Sequence, residues 1–299
     1  MYYSGFADEA ARDIAGQIAV TRRLGWTAIE ARRLNGRNIT EIDEAEFDAV
    51  EAALAAAGVT INCFGSEVAN WNSDPFKETD FERSLAMLRR AAVRMKRLGT
   101  RLLRGMSFAM QKTRDPFDPA VERQVFAKVR KLVDFCEAHD LVYLHENCMN
   151  YGGQSHEHAL KLFDAIDSPH FQLLFDTGNP VFTPRRLGSP PYPRQSSWEF
   201  YTGIRDFIGY VHIKDCRFVA DTDGLFPVAE FTFPGEGDGE IERIVADLLA
   251  RGYDGCFSIE PHLAGVFHQT ADGRNNDEAA ALYVAYGKKL MELIDRVKS

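Results

Sequence analysis

Cysteine is sparse in this chain. There are five in 299 residues, Cys63, Cys136, Cys148, Cys216 and Cys256, an odd number with no CxxC pair. Such a set weighs against a disulfide framework and points to reduced thiols. Long apolar runs are missing too. No uncharged stretch approaches the ~20 residues of a membrane-spanning helix, and no basic-then-apolar leader precedes the strand-like run that starts at Tyr2. A cytoplasmic protein without a membrane partner is expected. Basic residues are outnumbered: 35 Lys and Arg stand against 44 Asp and Glu, a net charge of −9. That balance argues against a nucleic-acid partner, which must be met with Lys and Arg.

What is present is a repeated alternation. Short apolar runs occur at 2–7, 28–32, 59–64, 101–106, 141–145, 171–175, 208–213 and 256–259. Between them lie stretches of helical period. Ile14, Ile18 and Leu24 share one face, as do Val50, Leu54 and Ala57, and later helices are expected near 81–98, 119–139, 157–166, 241–250 and 277–297, with a weaker one at 196–207. Gly25, Gly58, Gly99 and Gly252 each close a helical pattern just before a strand, where a left-handed residue ends a helix. The spacing of Asp43 and Glu46 is that of a capping box. Eight strand–helix units with near-continuous apolar strands predict parallel strands buried on both faces. The expected fold is therefore α/β, a single-domain (β/α)8 barrel over residues 1–299. The alternative is a doubly wound open sheet, but no GxGxxG follows the first strand.

Two connections are too long for tight turns. One spans 177–195 and contains Pro180, Pro184, Pro190, Pro191 and Pro193; the other spans 217–238. Both follow strands, at the barrel face where active sites sit.

Four of the apolar runs end in residue types that bind metals: Glu146, Asp176, His212 and Glu260. In a closed parallel barrel, strand tips converge on a common axis. Three carboxylates and an imidazole gathered there suit one divalent ion, Mn²⁺, Mg²⁺, Co²⁺ or Zn²⁺. Without a cation, the three acids would repel and their pKa values would rise. Taken singly, each has a plainer role: a glutamate as an ion-pair partner, Asp176 as a turn cap, His212 as a core hydrogen-bonder.

The chain resembles the sugar-phosphate isomerase/epimerase superfamily, the xylose isomerase-like TIM barrels, over nearly its full length. The resemblance is carried in order by Gly5 to Glu9, Ala28 to Arg32, Asn35 to Asn38, His145 to Asn147 with Tyr151 and Gly152, Phe175 to Asn179, Val211 to Asp215, Pro234 to Gly239, and Ser258 to His262. It implies one divalent metal on Glu146, Asp176, His212 and Glu260, with Glu146 and Glu260 moving the proton. The implied activity is isomerisation or epimerisation of a sugar or polyol, with or without a phosphate, by proton transfer next to a carbonyl through a metal-stabilised enediolate. Homodimers or homotetramers are implied as well. Asn179 departs from the pattern, for several epimerases carry histidine three residues after the aspartate.

Strand alternation extends the candidate list. Lys214 shares the inward face of His212, for substrate oxygens or a neighbouring acid, whereas Asp215 should turn away and brace a loop. Glu30 and Arg32 should form an inward pair or touch the sugar. Arg104, Asn179 and Arg217 are further candidates for substrate contact. His145 and His262 fall on the alternate phase and read as supporting residues; His139, His156, His158, His170 and His268 read as surface. Gly235 to Gly239 reads as a tight turn, and Phe64, Trp71, Phe108 and Phe267 as candidates for an apolar wall. Rival functions are a dehydratase of a keto-inositol or dehydroshikimate-like compound, an abasic-site endonuclease, and a non-catalytic sugar-binding protein.

Overall fold

The computed structural model describes residues 1–221, 228–264 and 276–299. Eight strands occupy the eight apolar runs: β1 (Tyr2–Gly5), β2 (Ala28–Ala31), β3 (Thr60–Val68), β4 (Leu102–Gly105), β5 (Val142–Glu146), β6 (Phe171–Asp176), β7 (Ile208–Ile213) and β8 (Cys256–Ile259). They form one sheet in chain order, and β8 pairs back onto β1 in parallel. Every ladder in this sheet is parallel. β1 and β2 pack beside each other without a ladder, so the (β/α)8 barrel is nearly closed.

The helices fall between the strands: α1 (Ile14–Arg23), α2 (Glu44–Ala57), α3 (Glu78–Leu98), α4 (Pro119–Ala138), α5 (His156–Ile166), α6 (Ser197–Ile204), α7 (Ile241–Ala250) and α8 (Asn276–Lys298). Their boundaries follow local chemistry. The Asp43 carboxylate accepts the Glu46 amide at 2.8 Å and starts α2. The four glycines expected at helix ends all have positive φ, from 64° to 81°. Among the described residues no helix is long and apolar enough to cross a membrane.

Two antiparallel hairpins were not anticipated. Arg33–Leu34 pairs with Arg37–Asn38, and Asn35 and Gly36, both at positive φ (50° and 84°), make the two-residue turn that this dipeptide favours. The second pairs Asp215–Ala220 with Val228–Thr232 and forms much of the second long connection. The first long connection contains the short helix Asn179–Phe182.

Strand period splits the barrel interior into layers. Toward the strand starts the inward residues are apolar: Cys63, Leu144, Leu174, Tyr210 and Cys256 form one cluster. Two residues further along the same strands come Glu146, Asp176, His212 and Ser258. The larger apolar cluster lies outside, between strands and helices. Hydrophobic burial therefore stabilises the shell and the base of the barrel, while the strand tips hold buried charge. All five cysteines are free and buried.

Candidate metal centre

Glu146 ends β5, Asp176 ends β6, His212 is the penultimate residue of β7, and Glu260 follows β8. Parallel register sets Asp176 opposite His212, and His212 opposite Ser258. One ligand atom from each of the four residues lies within 4.8 Å of the others, and all four side chains are buried. His212 Nδ1 is 3.4 Å from Glu260, 3.8 Å from Glu146 and 3.8 Å from Asp176.

The imidazole is held from behind. Its Nε2–H donates to Glu30 Oε2 at 2.9 Å, and the Ser258 hydroxyl donates to the same oxygen at 2.6 Å. That bond leaves Nδ1 directed at three carboxylates, and buried Nδ1 has no hydrogen-bond partner. Facing three anionic oxygens, Nδ1 must carry positive charge there, either a proton or a bound cation that takes the proton's place. The donor set thus fits a divalent ion.

Asp176 is positioned by both of its neighbours. Its Oδ1 accepts the amides of Gly178 (2.9 Å) and Asn179 (2.7 Å), so it also caps the following turn. Asn147 clamps the Asp176 backbone through both amide atoms. Gly178 is required here, because a Cβ would sit 2.8 Å from Lys214 Cγ and 2.9 Å from its carbonyl oxygen.

Each glutamate has its own guanidinium. Arg104 donates to Glu146 Oε2 at 3.2 Å, and Asn179 donates to Glu146 Oε1 at 3.2 Å. Arg32 donates to Glu260 Oε1 at 3.0 Å, and Lys214 to Glu260 Oε2 at 2.9 Å. Both guanidinium groups lie over the Phe6 ring, at 4.1 Å (Arg32) and 5.0 Å (Arg104). Burial would raise the Glu146 carboxyl, but Arg104 and His212 outweigh it and bring it down to about 2. Glu260 is likewise opposed by burial yet held well below the usual range by Lys214, His262 and His212. Asp176 goes the other way, because burial exceeds the pull of Lys214, 3.0 Å away. Burial would lower His212, but Glu30 and the three carboxylates raise it.

A cavity of about 260 Å³ opens above this cluster. Glu146, Glu260, Arg32, Arg104, Asn179 and Lys214 line it; Asp176 and His212, both fully buried, lie beneath. Its apolar wall is Trp71, Met149, Phe182 and Phe231.

A profile of the xylose isomerase-like TIM barrel family matches residues 18–283. The chain belongs to that family. Among curated proteins, an inosose dehydratase of Bacillus thuringiensis (strain Al Hakam) is 31% identical over 45% of this chain, and the chain spans only 45% of that protein's length. Among solved structures, a D-tagatose 3-epimerase-like protein superposes with a TM-score of 0.73 at 16% identity, covering 100% of this chain and 98% of the other. A family member from Mycobacterium smegmatis, crystallised with magnesium, gives a TM-score of 0.69 at 16% identity, covering 100% and 97%. At such identity these structural likenesses speak for the fold.

Several expected contacts fall elsewhere. Glu30 does not reach the cavity; it sits behind His212 and pairs with it instead of with Arg32. Arg32 binds Asp8 at 2.9 Å and Glu9 at 3.2 Å besides Glu260. Arg217 is exposed and donates to the Glu236 carbonyl. β7 ends at Ile213, and the ribbon that begins at Asp215 turns Arg217 to solvent. Phe64 and Phe108 are buried in the outer core, and Phe267 and His268 lie outside the described residues. His158 is buried rather than on the surface: its ring contacts Ser155 Oγ and the Pro116 carbonyl, both at 2.8 Å. Asp215 does brace a loop, for its carboxylate accepts the amides of Gly235, Gly237 and Gly239 at 2.8–3.0 Å. His145, outside the barrel wall, bonds Ser107 Oγ at 2.9 Å. His262 is a supporting residue that also lines the cavity; its amide donates to Glu9 at 2.7 Å and its Nδ1 is 2.9 Å from the same carboxylate. Glu9, Met149, Phe182 and Phe231 were not foreseen. Phe182 and Phe231 sit in the two long connections, whose length was the signal.

Proposed function

We propose that the protein is a divalent-metal-dependent isomerase or epimerase of a ketose or related polyol, working by proton transfer next to a carbonyl. The observation that supports this best is a division of labour among the four clustered residues: Glu146 and Glu260 face the cavity, and Asp176 and His212 do not. Glu146, Asp176, His212 and Glu260 would hold the metal. A bound divalent ion would supply Lewis-acid stabilisation for the negative charge that develops on the substrate's carbonyl and neighbouring hydroxyl oxygens.

The chain's own residues do the rest. Glu146 and Glu260 are kept ionised by Arg104, Arg32 and Lys214, so each can accept a proton. One glutamate removes the proton beside the carbonyl. The other, ionised at rest, takes a proton from a substrate hydroxyl or water and returns it to the opposite face of the same carbon or to the adjacent carbon; the first then gives up the proton it took to the group so deprotonated, which closes the cycle. Their guanidinium clamps restrain both carboxylates, and positioned groups of this kind contribute about 10²–10⁴-fold in rate. Asn179 and Lys214 offer donors to substrate oxygens. The wall of Trp71, Met149, Phe182 and Phe231 shields the site from water.

A dehydratase is the second reading, favoured by the identity to inosose dehydratase. Lys214 is well placed for it: a cavity-facing ammonium beside Asp176 and Glu260 could protonate a departing hydroxyl. Incubating manganese-loaded protein with a panel of ketoses and keto-inositols in D₂O tests both. Interconversion at constant composition, with deuterium beside the carbonyl, supports the isomerase or epimerase. An ultraviolet-absorbing enone with loss of water supports the dehydratase. Neither interconversion nor dehydration of any member contradicts both.

A further inference from the structure

The charges around the cavity bear on what can enter it. Every basic side chain that lines it among the described residues already lies against a carboxylate. Arg104 is on Glu146, Arg33 is 3.0 Å from Glu67, Arg32 is on Asp8, Glu9 and Glu260, Lys214 is between Asp176 and Glu260, and His262 is 2.9 Å from Glu9. With Glu30 behind His212, seven carboxylates surround the site against three guanidinium groups, one ammonium and the His262 imidazole. A divalent metal would bring the positive charge at most level with the acids, with no surplus for an anion. An entering phosphate or carboxylate would find no surplus cation; taking Arg32, Arg104 or Lys214 from its partner would leave a buried carboxylate unpaired, and taking the partly exposed Arg33 would break its pair with Glu67. It would also meet the contiguous apolar patch of Met149 and Phe182, with Trp71 and Phe231 packed against it, which solvates no charge. Neutral hydrogen-bonding groups are available: Asn70, Asn72 and Asn179 line the same space.

From this arrangement we infer that the substrate is an uncharged polyol ketone, neither a sugar phosphate nor a keto acid. The inference rests on the cavity being the polyol site proposed above, and it narrows that site to one substrate class.

Calorimetric titration of the manganese-loaded protein tests it, with matched probes at low ionic strength: a ketohexose, its 6-phosphate, a keto-inositol, and a hydroxylated cyclohexenone carboxylate. The neutral probes should bind, and the ketohexose at least tenfold more tightly than its phosphate. Equal or tighter binding of the phosphate or the carboxylate overturns the inference while leaving a polyol site in place. Failure of all four to bind overturns the polyol site itself, and the inference with it.

Discussion

His212 and Glu30, 182 residues apart in sequence, form a buried pair in which imidazole Nε2–H donates to a carboxylate oxygen at 2.9 Å. The bond crosses the barrel interior from β7 to β2. It fixes the ring so that Nδ1 faces Glu146, Asp176 and Glu260. Orienting contacts of this kind govern metal affinity although they never touch the metal.

Glu30→Ala should therefore weaken metal binding about 10–100-fold while Glu146, Asp176, His212 and Glu260 all remain. Titration of apo-protein with Mn²⁺, followed by calorimetry, measures this. Unchanged affinity would remove Glu30 from the account of the site.

Glu146→Gln and Glu260→Gln keep the shape of the side chain but remove its basicity. Each should lower kcat by about 10²–10⁴-fold, with circular dichroism unchanged. Near-normal turnover in both would contradict the proton-transfer roles.

Arg104 is buried with Glu146, and its guanidinium also donates to the Ser66 carbonyl at 3.2 Å. Arg104→Ala leaves a buried carboxylate short of its main counter-charge, which typically costs about 3–5 kcal/mol. Urea denaturation of the metal-free protein should show a loss of that order. A loss below 1 kcal/mol, roughly that of a surface pair, would mean the pair is not buried as described.

The eight strands were legible because each apolar run is short and bounded, and the four clustered residues because each falls at the end of such a run. The partners of Glu30 and Arg32 were not legible. They share a strand face, so a local pair was the natural expectation, but which residue lies opposite depends on closure of the whole ring. Closure brought His212 to Glu30, and Asp8, Glu9 and Glu260 to Arg32. Arg217 was misplaced because it follows the His212 strand in sequence, whereas beyond Ile213 the chain leaves the barrel. His158 looked like surface because it is polar and helical; only the fold reveals that Phe117 stacks on its ring at 4.1 Å.

That same histidine gives a pH prediction. Burial lowers the His158 pKa to about 4 from 6.5. Between those values the unfolded chain binds a proton that the native protein does not, so stability falls as pH drops through this window. Between pH 7.5 and 4.5 the loss from His158 alone should be about 2–3 kcal/mol. His158→Gln should show a shallower stability slope in urea over that range, whatever its stability at neutral pH. An identical slope would mean that the native ring takes up its proton as readily as the unfolded one.

The most direct measurement is diffraction from a manganese-soaked crystal at the manganese absorption edge. One anomalous peak is expected, about 2.0–2.3 Å from carboxylate oxygens of Glu146, Asp176 and Glu260 and from His212 Nδ1. A peak elsewhere, or none with Mn²⁺ in excess, would contradict the metal centre and the chemistry proposed for it.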